Sequence, residues 1–267
     1  MRRKMKNSSG ALFIVGAGPG NPGLITVKGL RALQQADVVL YDALVAQELL
    51  AEVKAGCKLV YVGKRKGKKE FPQEEINQLI VFYSRRYTNV VRLKGGDVNV
   101  FGRGHEEMEY AINCGVTVEV IPGVSSSLAG PTSAGIPLTR RGINESFWVV
   151  TGTTSSGKIS KDILLAAQSS ATIIVMMGLS HLEEIASIIQ DLRSPLEPMA
   201  VIQNATLQDE KVITGPAEAI YRLAMAEQIG SPAIIVIGKV VDERICANSK
   251  VRELVAVHRM SGNSNAL

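Results

Sequence analysis

Apolar residues along this chain follow two rhythms that take turns. Residues 11–17 are apolar almost without interruption, the pattern of a strand buried on both faces. Leu24, Val27, Leu30 and Leu33 then recur three apart, which predicts a helix running to about residue 36. A second short apolar run at 38–42 and an alternating one at 58–63 predict two more strands. Pro72 followed by Gln-Glu-Glu predicts a helix start, because proline suits the first helical position and acids suit the positive end of the helix dipole. Ile76, Leu79, Ile80 and Tyr83 form its apolar face. A strand at 89–93 runs into Gly95-Gly96-Asp97, a helix is expected from about 104 to 113, and a strand at 117–121. Such β/α alternation predicts an α/β fold, a mostly parallel sheet with helices on its faces.

The stretch 122–142, "PGVSSSLAGPTSAGIPLTRRG", is rich in Gly, Pro, Ser and Thr and marks a change of composition. Strands are then expected at 146–151, 171–177, 198–204, 210–214 and 232–241, and helices near 160–168, 181–190 and 216–227. The expected organisation is two α/β domains with mostly parallel or mixed sheets, 11–121 and 122–242, with a ligand cleft between them. Residues 1–10 and 243–267 are polar and expected to be flexible tails. No internal repeat or low-complexity segment is evident.

Composition narrows the function classes. The 267 residues carry a net charge of +5, a mild excess that favours anionic partners without pointing to nucleic acid. The densest cluster is Lys64-Arg-Lys-Gly-Lys-Lys69, which by itself also reads as a solvated loop. Cys57, Cys114 and Cys246 form no C-x-x-C pair, so neither a zinc motif nor a disulfide framework is expected and the compartment is reducing. The basic start "MRRKMKNSSG" is followed by too short an apolar stretch for a signal peptide. No run approaches the roughly 18 apolar residues of a membrane helix. A soluble, cytoplasmic protein is expected.

Four polar or glycine-rich loops follow strands, where α/β proteins place their ligands: 16–23, 63–69, 95–104 and 122–127. The first contains Gly18, Gly20 and Gly23 in G-x-G-x-x-G spacing, with Asp42 about 20 residues on, the outline of a dinucleotide fingerprint. Pro19 and Pro22 remove two N–H donors from that loop, which suits a ligand without phosphate. A plain structural turn fits as well. In "RLKGGDVNVFGRGHEE", Gly95 and Gly96 allow a close backbone approach, and Asp97 can accept from hydroxyls or an amine or simply cap a turn. Gly102-Arg103-Gly104 presents an arginine suited to a carboxylate. His105 reads as a surface residue near a helix start. Asp42 reads equally as a base and as a strand-end cap.

The segments "VGAGPGNPGLITVKGLRALQQADVVLYDALV", "VGKRKGKKEFPQEEIN", "VVRLKGGDVNVFGRGHEE", "VIPGVSSSLAGPTSAGIPLTRRG" and "SPAIIVIGKVV" resemble, in order, the motifs of the uroporphyrinogen-III C-methyltransferase branch of the tetrapyrrole (precorrin) methylases. The resemblance runs from about residue 11 to 241. It implies two α/β domains, a homodimer, and S-adenosyl-L-methionine bound in the interdomain cleft and released as S-adenosyl-L-homocysteine. Pro19, Gly95, Gly96, Asp97, Val100, Ser125, Ser126, Met177 and Ala205 are implied to bind the cofactor. Asp42 matches the proposed proton acceptor and Lys64 the proposed proton donor. Without the resemblance, Met177 reads as a core methionine and Ala205 carries no signal.

The implied reaction is methylation of uroporphyrinogen III at carbons 2 and 7, giving precorrin-2, a branch point to siroheme and cobalamin. An electron-rich pyrrole carbon attacks the sulfonium methyl directly, so positioning dominates. A proton must then leave the cationic ring, a task for a carboxylate. No metal is needed. Arg65, Arg103 and Arg140 are candidates for the substrate carboxylates, with Lys66, Lys68 and Arg141 nearby in the same motifs. The chain departs from the family pattern at Asn21, Lys69, Glu70, Val98, Asn99 and His105, which bears on fine specificity. The alternatives are methylation of a later precorrin, a regulatory module that binds cofactor without turnover, and a nicotinamide-dependent oxidoreductase.

Overall fold

The computed structural model describes residues 10–63 and 72–245, and these divide into two compact units. The first holds the described residues up to Gly130 together with Asn204–Glu210, and the second holds Pro131–Gln203 and the described residues from Lys211 onward.

The first unit is built on a five-stranded sheet of β1(Ala11–Gly16), β2(Val38–Tyr41), β3(Lys58–Tyr61), β4(Asn89–Lys94) and β5(Thr117–Ile121). Its order is β3-β2-β4-β1-β5, and every pairing is parallel. Alternation along the strands divides the core between the two faces of the sheet. Leu12, Ile14, Val38, Leu40 and Val90 pack with Ile76 and Ile80 of α3(Gln73–Ser84) and Ala111 of α4(Gly104–Asn113). Val15, Val39, Val91 and Leu93 pack with Leu33 of α1(Val27–Gln34) and with Leu49 and Leu50 of α2(Gln47–Leu50).

The connections fix where a ligand can sit. The chain leaves β1 through α1 toward β2 on one side, and leaves β4 through α4 toward β5 on the other. The neighbouring carboxyl ends of β1 and β4 are therefore the switch point of the sheet, the place where loops diverge and open α/β proteins bind ligands. The first helix starts later than periodicity suggests. Pro22–Leu24 is a separate 3-10 turn, and Thr26 caps α1 by accepting from the Gly29 N–H at 3.1 Å.

The second unit carries a sheet of β6(Phe147–Thr151), β7(Thr172–Met176), β8(Pro198–Gln203), β9(Lys211–Pro216) and β10(Ala233–Ile237), in the order β6-β7-β10-β8-β9. Only β6 and β7 are parallel; β10 runs antiparallel to both its neighbours. Helices α6(Asp162–Ala167), α7(Leu182–Leu192) and α8(Ala217–Ala226) cover one core of Ile163, Ile185, Ile189 and Ile220 against Ile173, Val175, Val201 and Ile235. The Gly/Pro/Ser/Thr-rich stretch is not continuous loop: Ser126–Ser133 forms a helix, α5, despite Pro131. Pro131 is the sixth of its eight residues, so the helix forgoes the one N–H that would have reached the Ser127 carbonyl.

Candidate functional site

The three loops at the carboxyl ends of β1, β4 and β5 meet through bare backbone. A Cβ on Gly16 would lie 2.5 Å from Gly123 Cα, and one on Gly123 would lie 2.3 Å from Gly96 O. Gly18 and Gly96 exchange both backbone hydrogen bonds, at 3.2 and 2.7 Å. Asp97 fastens the arrangement: Oδ1 accepts from the N–H groups of Asn99 (2.8 Å) and Val100 (3.3 Å), and Oδ2 from that of Gly123 (3.1 Å). The turn-capping reading of Asp97 thus describes its contacts, and the capped turns are those that border the switch point.

The amides of the first loop decide its opening ambiguity. Ala17 N–H donates to Lys94 O, Gly18 to Gly96 O, Asn21 to Thr206 Oγ1 and Gly23 to Asn21 Oδ1. Pro19 and Pro22 have no N–H. A pyrophosphate needs several free amides at a helix start, and this loop leaves it only Gly20. Asn21 sits at φ −63°, ψ 120°, as a residue before proline should. The geometry disfavours a dinucleotide and suits a ligand recognised by shape and by groups other than phosphate.

A group of buried charges lies beside this junction. The face of β4 that begins with apolar Val90 continues as Arg92 and Lys94, and the matching face of β2 ends beyond Leu40 at Asp42. Arg92 is 3% exposed, Lys94 5% and Glu107, on α4, 1%. Glu107 Oε1 accepts from Arg92 Nε at 3.2 Å and from Gln73 Nε2 at 3.3 Å, while Oε2 accepts from Lys94 Nζ at 3.0 Å. Arg92 Nη2 reaches Asp42 Oδ2 at 3.4 Å, and the Leu44 N–H donates to Asp42 Oδ1 at 3.1 Å. Burial, followed by the neighbouring Arg92 charge, pushes the Lys94 ammonium below the usual lysine value, while Glu107 and Asp42 pull the other way. The sequence reasoning passed over Arg92, Lys94 and Glu107. The available signal was two cations at same-face positions of an otherwise apolar strand.

The other candidates fall as follows. Ser125 is buried and shares a 2.8 Å hydroxyl hydrogen bond with Ser127, and Ser126 opens α5. Ala205 is buried between Asn204 and Thr206, both at positive φ, in the segment that belongs to the first unit. That segment meets the first loop, since a Cβ on Gly20 would lie 2.9 Å from Leu207 Cδ2. Met177 is not a core methionine: it stands just past β7 in the second unit, 53% exposed, at φ 54°, with its carbonyl accepting from Thr153 Oγ1 at 2.7 Å. Positive φ in non-glycine residues costs energy and gathers at functional positions. Here it occurs at Phe101, Arg103, Met177, Asn204 and Thr206, all in or beside the candidate motifs, and at Gln228.

Two of the three candidate arginines already have carboxylate partners. Arg103 is exposed and forms a two-pronged pair with Glu106, at 2.9 and 2.7 Å; that pairing raises Arg103 and lowers Glu106. Arg140 pairs with Glu243 in the second unit. Lys64, Arg65, Lys66, Lys68, Lys69, Glu70 and Cys246 lie outside the described residues. Asn99 and His105 are exposed, while Val98 is buried, in contact range of Gly104. Among the described residues, no group of His, Cys, Asp and Glu could hold a metal ion, and no helix is long and apolar enough to cross a membrane.

A parallel sheet whose switch point offers an amide-poor loop, joined to a second unit with a mixed sheet, defines a class. The family model for tetrapyrrole (corrin/porphyrin) methylases matches residues 11–221, and the chain belongs to that family. It is 44% identical over 236 residues to the uroporphyrinogen-III C-methyltransferase of Methanocaldococcus jannaschii, covering 88% of this chain and 98% of that protein. It is 42% identical to the siroheme synthase of Chromobacterium violaceum, but there the match spans 88% of this chain and only 50% of the relative's length. Its structure is similar, with a TM-score of 0.75 and 38% identity, to the uroporphyrin-III C-methyltransferase from Thermus thermophilus complexed with S-adenosylhomocysteine, covering 87% of this chain and 93% of that one.

Proposed function

We propose that this protein is an S-adenosyl-L-methionine-dependent C-methyltransferase that converts uroporphyrinogen III to precorrin-2 by methylation at carbons 2 and 7. The observation that carries this reading is the near full-length match to a uroporphyrinogen-III C-methyltransferase. The structural neighbour bound to the demethylated product supports the methyl donor. The first loop agrees with that donor, which brings an adenosine, a sulfonium and an amino acid but no phosphate.

The donor supplies an electrophilic methyl group. The chain's own residues have three tasks. Pro19, Gly95, Gly96, Asp97, Val100, Ser125, Ser126, Met177 and Ala205 are proposed to hold the donor, chiefly through backbone that the glycine junction and Asp97 keep rigid. Asp42 is proposed to accept the proton released after methylation; its carboxylate stands at a strand end, partly exposed and already oriented by two hydrogen bonds. Lys64 is proposed as proton donor. Arg65, Arg103 and Arg140 are proposed to bind the acidic side chains of the tetrapyrrole. For Arg103 and Arg140 this means exchanging Glu106 and Glu243 for substrate carboxylates. A cytoplasmic homodimer is part of the proposal, and its dimeric state is checked by light scattering of the purified protein.

The direct test is an anaerobic reaction of the full chain with uroporphyrinogen III and methyl-labelled S-adenosyl-L-methionine, with the product identified by mass and absorbance. A gain of two methyl groups is expected. Donor binding without transfer to uroporphyrinogen III would point to a later precorrin or a regulatory role. Absence of donor binding would overturn the proposal.

A further inference from the structure

Arg92, Lys94 and Glu107 have no part in the reaction as set out above, yet they are the buried charged side chains among the described residues. Stability explains them poorly. Burying charge is costly, and replacing such clusters by well-packed apolar residues is often neutral or stabilising. Their arrangement gives a better reason.

We propose that Glu107 is a positioning residue for the Asp42 carboxylate and acts on it through Arg92. This rests on Asp42 being the proton acceptor. Glu107 Oε1 holds Arg92 Nε, and the carbonyl of Leu93 holds Nη1 at 2.8 Å. A planar guanidinium held at two nitrogens has no rotation left, so its Nη2 is committed to Asp42 Oδ2. The other carboxylate oxygen is committed to the Leu44 N–H. Both oxygens of Asp42 are thus placed by fixed donors, one belonging to the turn and one to the buried cluster.

The charges also serve the step. With Asp42 ionised, two cations face two carboxylates and the cluster is neutral. In the proton transfer, the C–H bond of the methylated, cationic macrocycle breaks. Its electron pair returns to the ring, and the proton goes to Asp42, which later releases it to water. The ring loses its positive charge in that step, and the cluster carries one positive charge until Asp42 passes the proton to water. Glu107 also holds Gln73, at the first turn of α3. The same carboxylate therefore anchors the helix that follows the basic segment in sequence.

The test is a double-variant cycle on the full chain with D42N and E107Q. The rate constant kcat is measured anaerobically with uroporphyrinogen III, and S-adenosyl-L-homocysteine binding is measured by calorimetry. E107Q is expected to lower kcat about 10-fold or more when Asp42 is present and less than about 3-fold in the D42N background, because residues acting in series are not additive. Product affinity should stay within about 2-fold, which reports an intact fold. Equal losses in both backgrounds, or wild-type kcat in E107Q, would overturn the inference while leaving Asp42 as acceptor. Wild-type kcat in D42N would remove the acceptor reading and this inference with it. Should E107Q fail to bind S-adenosyl-L-homocysteine, R92K replaces it in the same cycle: the charge is kept and the bridge from Glu107 to Asp42 is lost. A background-dependent loss in R92K supports the proposal, and an equal loss in both backgrounds overturns it.

Discussion

Replacing Gly123 by alanine puts a methyl group into the junction of the β1, β4 and β5 loops. The new Cβ would sit 2.3 Å from Gly96 O and 2.7 Å from Gly16 C and Cα, where real Cβ atoms essentially never come within 3.0 Å. The backbones must therefore part by about 0.7 Å, and every atom in the way belongs to a sheet-anchored main chain that no rotamer change can move. Such overpacking costs about 3 kcal/mol, the upper part of the usual range. The smaller unfolded-state entropy of alanine returns about 0.4–1 kcal/mol. The net expectation is a loss of about 2 kcal/mol and a melting point lower by roughly 5–10 °C for a unit of this size. Gly230 provides the comparison, because its Cβ would meet nothing nearer than 4.0 Å and its φ is not in the left-handed range. G230A should be neutral or stabilised by about 0.4–1 kcal/mol. The assay is thermal unfolding of both variants beside S-adenosyl-L-homocysteine titration, where G123A should also lose affinity through displacement of Gly96 and Pro19. Wild-type melting and wild-type affinity in G123A would refute the reasoning about the junction.

Three further outcomes are expected. D42N should lower kcat about 100-fold or more, the lower end for a lost general base, with S-adenosyl-L-homocysteine affinity unchanged by calorimetry. R103A should raise KM for uroporphyrinogen III several-fold without moving KM for the methyl donor, and E106A, which frees the guanidinium, should lower it; steady-state kinetics of the pair reads both. Burial raises the Asp37 carboxyl, but the Lys54 hydrogen bond, the Asn89 N–H and the Lys54 charge together hold it below 3.8. A folded value below the unfolded one gives stability that is present above 3.8 and lost as pH falls through the folded value. D37N should therefore be less stable at pH 7 by about 1 kcal/mol after solvent screening, with the gap closing below pH 3.8 in urea titrations.

The succession of strands and helices was open to reading because each element writes its own period into the chain. The apolar run 11–17, the spacing of Ile76, Leu79, Ile80 and Tyr83, and the acid-rich start after Pro72 are local facts, and β1 and α3 formed where they pointed. The short α2 left no such trace, since four residues are barely one turn. The antiparallel course of β10 depends on partners brought from β7 and β8, so its own sequence reads the same either way.

For the site, the sequence by itself determined that the first loop is poor in donors, because proline lacks an N–H wherever it stands, that Asp42 ends an apolar run, and that Asp97 follows a pair of glycines. Resemblance added the names of the remaining residues. Tertiary structure decided the rest. The order β3-β2-β4-β1-β5 made neighbours of two loops separated by most of the first unit. It turned three glycines from separate motifs into one backbone contact, and spent the first loop's amides inside the protein. It also moved Met177 from an expected core into solvent and gathered Arg92, Lys94 and Glu107 beneath Asp42. Those contacts are long-range pairings of short polar groups, and hydrophobic periodicity carries no record of them because it reports only which face of an element is buried, not what that face meets.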